Sequence, residues 1–341
     1  MKHFNMKYPI IQAPMAGGIT TPELVSTVSN LGGLGSYAGG YIKPNQLEKD
    51  IKAIQKLTQA TFCVNLFVPN PYTVDPDAVQ KTIKALDPIY TLFELTPRLP
   101  SSNFKKDEEL FNQQIDLLIA LKVPICSFTF GIPQQEVLCR LKKATIAIIG
   151  TATSLQEALA WEAAGADAIV AQSAQAGGHR ASFIYPEELL DLPVLLNQLS
   201  KQISIPIIAA GGIMDKKGIS KAIDAGAAAV QMGTAFLLTN ESGASEVYKD
   251  RILEKAEDKT VLTTTFSGKL ARGIRNKFID YMESQPKDAI LPYPLQNSIT
   301  KSIRKTSTNT LNGDYMSLWC GQNGYTGKKQ STESLFKSLI E

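Results

Sequence analysis

Eight short apolar segments alternate with helix-like segments over most of this 341-residue chain, and this alternation limits the folds that it can adopt. Each apolar segment is nearly continuous, which is typical of a parallel strand buried on both faces. In chain order the segments are YPIIQAPM (Tyr8–Met15), GLGSYAG, FCVNLFV (Phe62–Val68), VPICSFTFG, TIAIIGTATS, DAIVAQS, ISIPIIAAGG and AAAVQMGTAFL. Repeated βα units of this kind predict an α/β fold.

Two arrangements of parallel strands fit these units: a (β/α)8 TIM barrel and a doubly wound open sheet. In a barrel, the loops after the seventh and eighth strands usually build a phosphate site. Here these loops contain AAGGIMD (Ala209–Asp215) and QMGTAF (Gln231–Phe236), so both carry glycine. The position of these glycines favours the barrel.

The repeat has one enlarged connection and one appended segment. Residues 69–106 are rich in proline and aromatic residues, with a helix predicted near Ala78–Leu86. The βα rhythm stops after residue 258, so we predict a barrel over residues 1–258 and a C-terminal extension over residues 259–341. The extension is too polar to build a core alone, and we expect it to pack on the barrel and help to cover the strand ends.

Composition excludes several classes of protein. The apolar fraction of 44% and the charged fraction of 20% are those of a globular protein. No apolar run reaches the ~18 residues of a membrane span, and MKHFNMKYPI lacks the apolar centre of a signal peptide. We therefore expect a cytoplasmic protein without membrane contact.

Charge and cysteine spacing argue against nucleic acid and metal as ligands. The four cysteines show no CxxC spacing, so no metal site is predicted. From Lys259 onward there are 12 Lys and Arg residues against 6 Asp and Glu, but the basic residues are scattered rather than clustered. This pattern is unlike a nucleic-acid-binding arm and is compatible with a small anionic ligand.

Glycines at the predicted seventh and eighth strand ends indicate a phosphate site. Gly211, Gly212 and Gly233 would let backbone N–H groups approach a phosphate without interference from a Cβ atom. The chain contains neither a GxGxxG turn that opens a helix nor the Walker pattern GxxxxGK[ST]. A mononucleotide such as a flavin therefore fits better than a dinucleotide.

Other polar and flexible side chains fall at predicted strand ends, where a barrel gathers its functional groups. Met15 can lie against the flat face of a flavin, and Asn65 can bond its pyrimidine edge. Gln172 ends the sixth strand, and Gly177, Gly178 and His179 follow it. The chain has only one other histidine, His3, at a chain end where fraying makes a catalytic role improbable.

Four segments resemble the signature motifs of the nitronate monooxygenases, formerly called 2-nitropropane dioxygenases. They are QAPMAGG, SFTFGIP (Ser127–Pro133), QSAQAGGHR (Gln172–Arg180) and AAGGIMDKKG (Ala209–Gly218), in the order of the family. The similarity extends from about Tyr8 to the GQNG segment near the C-terminus. It implies a TIM barrel that binds FMN non-covalently and uses O2 to oxidise alkyl nitronates such as propionate 3-nitronate. The products would be carbonyl compounds and nitrite or nitrate, and no nicotinamide would be needed.

The resemblance also implies roles for residues at the matching positions. His179 corresponds to the active-site histidine of the family, which lies beside the flavin and the nitro group of the substrate. Ser173 and Ala181 stand where the family usually has glycine, and Gln175 stands where it usually has glutamate, so a catalytic carboxylate is not expected there. The implied FMN ligands are Asn65, Gln172, Gly177, Gly212, Gln231, Met232, Gly233 and Thr234.

The chemistry of a nitronate explains why a histidine would stand there. A nitronate is already an anion, so the enzyme needs an electron acceptor and a donor of hydrogen bonds or positive charge. An imidazole has an ordinary pKa near working pH and suits this task. With a neutral nitroalkane as substrate, His179 would instead act as a general base.

The basic extension supplies candidate second contacts to the substrate. Tyr293 and Lys301 would offer a phenol and an ammonium to a nitronate that carries a carboxylate. The expected partners are this small anion and O2, and the protein is expected to be a monomer or a homodimer.

Two alternative functions stay open at the level of sequence. One is an FMN-dependent enoyl reductase of fatty-acid synthesis, a relative with a similar AGGH loop, which would have to admit NAD(P)H and an acyl carrier. The other is a flavin-binding protein without turnover, although such a protein would give His179 no evident task.

Overall fold

Eight parallel strands form a nearly closed barrel in the computed structural model of the chain, which describes residues 4–97, 99–100, 103–185, 187–254 and 260–341. One bridge between Ile11 and Leu34 joins the two ends of the eight-stranded sheet. The predicted (β/α)8 barrel is therefore confirmed, and the open sheet is wrong. His3 and the predicted boundary at residues 258 and 259 lie outside the described residues.

The eight apolar segments of the sequence all form barrel strands. Their bounds are β1 (Ile10–Gln12), β2 (Gly35–Ala38), β3 (Phe62–Phe67), β4 (Ile125–Thr129), β5 (Ala147–Ala152), β6 (Ala168–Gln172), β8 (Ile207–Ala210) and β9 (Ala229–Met232). Around the barrel the order is β1, β9, β8, β6, β5, β4, β3 and β2, with every pair parallel.

The two faces of each strand pack into different cores. In β3, Val64 and Leu66 pack against residues of the surrounding helices, such as Leu47 and Ile115. Cys63, which precedes Val64 and points to the opposite face, packs with the inward residues of the other strands in the barrel interior. Both faces are apolar because both are buried, which explains the continuous apolar runs of the sequence.

Helices lie between the strands and begin where the sequence has caps and prolines. Pro22 opens α1, and the Thr21 hydroxyl accepts a hydrogen bond from the Leu24 N–H, as expected for an N-cap. The helices up to residue 254 are α1 (Pro22–Asn30), α2 (Pro44–Leu57), α3 (Pro76–Leu92), α4 (Phe104–Ala120), α5 (Gln135–Lys143), α6 (Leu155–Ala164), α7 (Leu192–Leu199), α8 (Lys216–Asp224), α9 (Thr234–Leu237) and α10 (Glu246–Leu253). Within the described ranges, no helix is both long and apolar enough to cross a bilayer.

A three-stranded antiparallel sheet, which the sequence analysis did not predict, stands beside the barrel. It consists of β7 (Gly178–His179), β10 (Thr260–Thr263) and β11 (Ala271–Ile274). β11 is central, and it pairs with β7 through Ala271 opposite His179. The extension therefore holds the histidine loop by backbone pairing.

The extension and the enlarged connection share one core. Leu86 and Ile89 of α3 pack with Phe278 and Met282 from the extension, and the Tyr90 hydroxyl donates to the Ile299 carbonyl at 3.0 Å. The described part of the extension, residues 260–341, has four α-helices: α11 (Lys277–Glu283), α12 (Leu295–Ile299), α13 (Lys301–Asn309) and α14 (Thr332–Ile340). The last of these packs into the core around the barrel, so the extension packs on the barrel as expected.

A glycine in β5 gives a test of barrel packing. A Cβ at Gly150 would stand 2.1 Å from the ring of Trp161, which is fully buried. We expect Gly150→Ala to lower the free energy of unfolding by about 1–3 kcal/mol, because a packed core resists added volume. Urea denaturation measures the change.

The matched control is Gly218→Ala in α8. There the nearest atoms to a new Cβ are 3.3 Å away and belong to the side chains of Asp215 and Ile213. We expect a change of less than about 1 kcal/mol, since alanine favours a helix. Equal effects at the two positions would contradict the packing described for β5.

Candidate active site

A cavity of about 520 Å³ lies at the C-terminal ends of the barrel strands. Strand register brings the ends to one level, since Gln172 lies beside Ala210 and Ala210 beside Gln231. Of the residues predicted for the site, all except Tyr293 line this cavity: Met15, Asn65, Gln172, Gly177, Gly178, His179, Gly211, Gly212, Gln231, Met232, Gly233, Thr234 and Lys301.

The glycines after β8 have the backbone geometry of a phosphate-binding turn. Gly211 and Gly212 have φ angles of +119° and +71°, which side chains other than glycine rarely adopt. A Cβ at Gly211 would also stand 2.2 Å from the Ser173 hydroxyl. The N–H groups of Gly212, Gly233 and Thr234 donate to no oxygen within the described ranges, so they are available to an anion.

The C-terminal GQNG segment, Gly321–Gly324, crosses both turns. The Asn323 side chain donates to the Gly212 carbonyl at 2.7 Å, and the Gly321 N–H donates to the Thr234 hydroxyl at 3.0 Å. A Cβ at Gly177 would stand 2.5 Å from the Gly321 nitrogen, so only glycine fits where the histidine loop meets this segment. The extension thus builds one wall of the cavity, and sequence analysis assigned no role to Asn323.

Asn65 is held in one orientation by two hydroxyl groups. Its amide nitrogen donates to Ser127 at 3.0 Å and to Thr129 at 3.1 Å, both on the neighbouring β4. The carbonyl oxygen of the amide is left as an acceptor at the edge of the cavity. This is the arrangement needed to accept a hydrogen bond from an N–H group of a bound ring.

Gln172 lines the cavity, but its amide already holds the histidine loop. The nitrogen donates to the His179 carbonyl at 3.0 Å, and the oxygen accepts from the Ala181 N–H at 2.9 Å. Next to it, the buried Arg180 guanidinium donates to the carbonyls of Gln172 and Ser173. Gln172 thus positions His179, in addition to any contact with a ligand.

The His179 ring stands among three aromatic rings. Its centroid lies 5.8 Å from that of Phe130, 6.2 Å from that of Tyr293 and 5.3 Å from that of Trp319. Tyr293 therefore touches the histidine although it does not line the cavity, and its hydroxyl is bonded to Tyr41. Of these aromatic residues, sequence analysis named only Tyr293.

Ser267 determines which imidazole nitrogen is free. Its hydroxyl lies 2.8 Å from His179 Nε2 and 3.1 Å from the Lys269 carbonyl, which can only accept. Both contacts are hydrogen bonds when the hydroxyl donates to the carbonyl and Nε2–H donates to the hydroxyl. Nδ1 then carries the free lone pair, and it has no hydrogen-bond partner in the part of the chain that the structure describes.

The imidazole is neutral at working pH, contrary to the expectation from an ordinary histidine. Burial disfavours the charged ring, and the positive charges of Arg304 and Lys269 add to this, so that the pKa of His179 falls from 6.5 to about 3. The surroundings of the ring, rather than its place in the sequence motif, determine this low pKa. Positive charge in the cavity comes instead from Lys301 and Arg304.

Comparisons with known proteins agree with this geometry. The model of the nitronate monooxygenase family matches residues 1–341. A protein of Staphylococcus aureus (strain Newman) named "probable nitronate monooxygenase" is 44% identical over 98% of this chain and 94% of its own length. A similarly named protein of Staphylococcus haemolyticus is 44% identical over 99% of this chain and 94% of its own.

Two solved structures share the whole architecture. Nitroalkane oxidase from Streptomyces ansochromogenes superposes with a TM-score of 0.92 at 34% identity, covering 98% of this chain and 95% of its own. FabK from Thermotoga maritima superposes with a TM-score of 0.78 at 26% identity, covering 99% and 93%.

The lowered pKa of His179 predicts a specific dependence of stability on pH. The unfolded chain binds a proton at this residue near pH 6.5 and the folded chain near pH 3, so between these values the unfolded state holds more protons. The contribution of His179 to the free energy of unfolding therefore decreases as the pH falls from 6.5 to about 3. Above pH 7 the contribution is constant.

The variant His179→Asn removes this titration. We expect its free energy of unfolding, relative to that of the unmodified protein, to rise as the pH is lowered from 7 to 5. Urea denaturation of the flavin-free proteins at both pH values measures the difference. A difference that does not change with pH would mean that the imidazole keeps an ordinary pKa.

Proposed function

Because the chain belongs to the nitronate monooxygenase family, we propose that this oxidoreductase uses FMN and O2 to oxidise alkyl nitronates such as propionate 3-nitronate. The products are carbonyl compounds and nitrite or nitrate. The observation that carries the proposal is the His179 imidazole, fixed at the wall of a cavity whose other end has unpartnered backbone N–H groups.

The family indicates a flavin, and the cavity residues fit FMN in particular. The N–H groups of Gly212, Gly233 and Thr234 would hold a single phosphate, and the Asn65 carbonyl oxygen would accept from the pyrimidine edge of the ring. Met15 would lie against the ring. When bound, the flavin would supply the electron acceptor that a nitronate needs.

The neutral histidine and the cations divide the work on the substrate. The Nδ1 lone pair of His179 is free to accept a proton from the carbon of a neutral nitroalkane, but the low pKa makes the imidazole a weak base, so a substrate that arrives already as the nitronate is favoured. Positive charge for the nitronate anion would come from Lys301, and the Tyr293 ring packs against the imidazole. The aromatic rings around His179 exclude water and strengthen these interactions.

An enoyl reductase is the second candidate, because FabK shares the fold at 26% identity. The nitronate reaction is better supported, since the curated relatives reach 44% identity and nitroalkane oxidase 34% over nearly the full chain. A flavin-binding protein without turnover explains neither the fixed imidazole nor the positive charge beside it.

The identity of the cofactor is the first test of this proposal. We expect the purified protein to be yellow and to release FMN, not FAD, on heating, because the cavity offers one pair of glycine turns and the chain has no dinucleotide fingerprint. Chromatography of the released flavin identifies it. A colourless protein that takes up no FMN on reconstitution would overturn the site.

Substitution of the histidine is the second test. We expect His179→Ala to retain FMN, since the proposed phosphate contacts lie on other loops, and to lose about 10²-fold in kcat/KM for a nitronate. His179→Asn keeps a neutral polar group but not a base. With a nitronate, its kcat/KM should fall less than that of the alanine variant. With the parent nitroalkane, its kcat/KM should fall by as much as that of the alanine variant.

Steady-state oxygen uptake with both substrates checks this pattern, and flavin absorbance checks that each variant is loaded. Full activity of His179→Ala with FMN bound would make the histidine a structural loop residue.

A further inference from the structure

Arg304 is a half-buried cation that has no carboxylate partner among the residues that the structure describes. It lies on α13 and lines the cavity. Its Nη2 donates to the Asn297 carbonyl and side-chain oxygen at 2.7 and 2.8 Å, and its Nε donates to the Thr300 hydroxyl at 3.2 Å. All of these acceptors are neutral. Within the described ranges, no Asp or Glu forms an ion pair with it.

Two N–H groups of this guanidinium remain for a ligand. The hydrogen bonds to Asn297 and Thr300 use Nη2 and Nε, and Nη1 has no partner among the described residues. The same bonds fix the plane of the guanidinium, so little side-chain entropy is lost when an anion binds. Arg304 is half-buried, and a partly desolvated positive charge that has only neutral acceptors favours an anionic ligand at this place.

The described residues of the cavity wall carry a net positive charge, which suits an anionic ligand. They include Lys301 and Arg304, and none of them is Asp or Glu. A nitronate alone carries one negative charge. Because the proposed phosphate contacts are backbone N–H groups at the glycine turns, both cations remain for the substrate, and they fit a substrate with a second negative charge.

The residues that feel its charge place Arg304 on the histidine side of the cavity rather than at the glycine turns. Its charge acts on both Tyr41 and His179. Tyr41 is bonded to Tyr293, and the Tyr293 ring packs on the His179 ring. No contact in the described structure links Arg304 to Gly212 or Gly233 in this way.

We propose that Arg304 forms an anion subsite that binds a carboxylate of the substrate, at the end remote from the nitronate carbon. This assignment rests on the proposed function and names Arg304 as the residue that selects carboxylate-bearing nitronates over simple alkyl nitronates. Lys301 lies on the same helix, is exposed and lines the cavity, and its charge is assigned to the nitronate group rather than to this subsite.

The test compares two nitronates that differ only in this group. Propyl 1-nitronate has a methyl group where propionate 3-nitronate has its carboxylate. We expect Arg304→Gln to raise KM for propionate 3-nitronate at least 30-fold, which corresponds to about 2 kcal/mol of binding. The kcat/KM for propyl 1-nitronate should change less than 3-fold. Arg304→Lys keeps the positive charge but loses the paired N–H groups of the guanidinium. Its KM for propionate 3-nitronate should lie between those of the unmodified protein and Arg304→Gln.

Lys305→Gln is the matched control, because Lys305 is the next residue on the helix, is exposed and does not line the cavity. It removes the same charge and should leave both nitronates unaffected. Equal losses with both nitronates in Arg304→Gln would place Arg304 at the nitronate group itself. Loss of FMN from this variant would place it at the cofactor phosphate. Either result, or unchanged kinetics, overturns the proposal.

Binding without turnover separates this subsite from the reaction. We expect isothermal titration to detect 3-nitropropionate binding to the flavin-loaded protein, at least 30-fold weaker binding to Arg304→Gln, and no comparable change for 1-nitropropane. If the protein oxidises neither nitronate but shows this binding pattern, the proposed function fails and the anion subsite stands. Equal binding of 3-nitropropionate to both proteins would refute the subsite.

Discussion

The active site depends on one short piece of backbone pairing, that of Gly178–His179 in β7 with Ala271–Arg272 in β11. In the barrel, β6 pairs with β8, so the loop between them has no barrel strand to pair with and is held there by side chains such as Gln172. Pairing with the extension gives the loop a fixed position, and Ser267 in the turn before β11 orients the ring. The barrel and the extension therefore act as one catalytic unit.

Other parts of the extension also contact the ends of the barrel strands and the residues near them. Its GQNG segment braces the two glycine turns, its Trp319 packs on the histidine ring, and its α13 brings Arg304 to the cavity. The core shared with α3 holds this cover in place. Cofactor and substrate would thus be enclosed by different parts of one chain, which keeps water away from the reacting groups.

Sequence predicted the parts of the protein that follow from periodicity. All eight barrel strands were found because buried parallel strands leave continuous apolar runs, and Gly211 and Gly212 were found because a turn with positive φ angles requires glycine. The two-residue strand β7 leaves no such mark, and β10 and β11 are half-polar segments without strict alternation. Their pairing depends on contacts distant in sequence.

Sequence predicted which residues form the site better than it predicted their protonation and hydrogen bonding. His179 was identified from its motif, but its neutral state depends first on burial of the ring and then on the charges of Arg304 and Lys269, which lie about a hundred residues further along the chain. Gln172 was expected to contact the flavin, whereas its amide is used to hold the histidine loop. Arg304 was missed because an arginine on a basic helix looks like a solvated residue until the helix is placed over the cavity.

The central claim is that a nitronate is the electron donor of this enzyme. Anaerobic stopped-flow mixing of the oxidised, flavin-loaded protein with propionate 3-nitronate, and separately with NADPH, tests it most directly. The account predicts rapid loss of the flavin absorbance with the nitronate and none of comparable rate with NADPH. Rapid bleaching by NADPH, with no response to the nitronate, would contradict the account and favour the enoyl reductase.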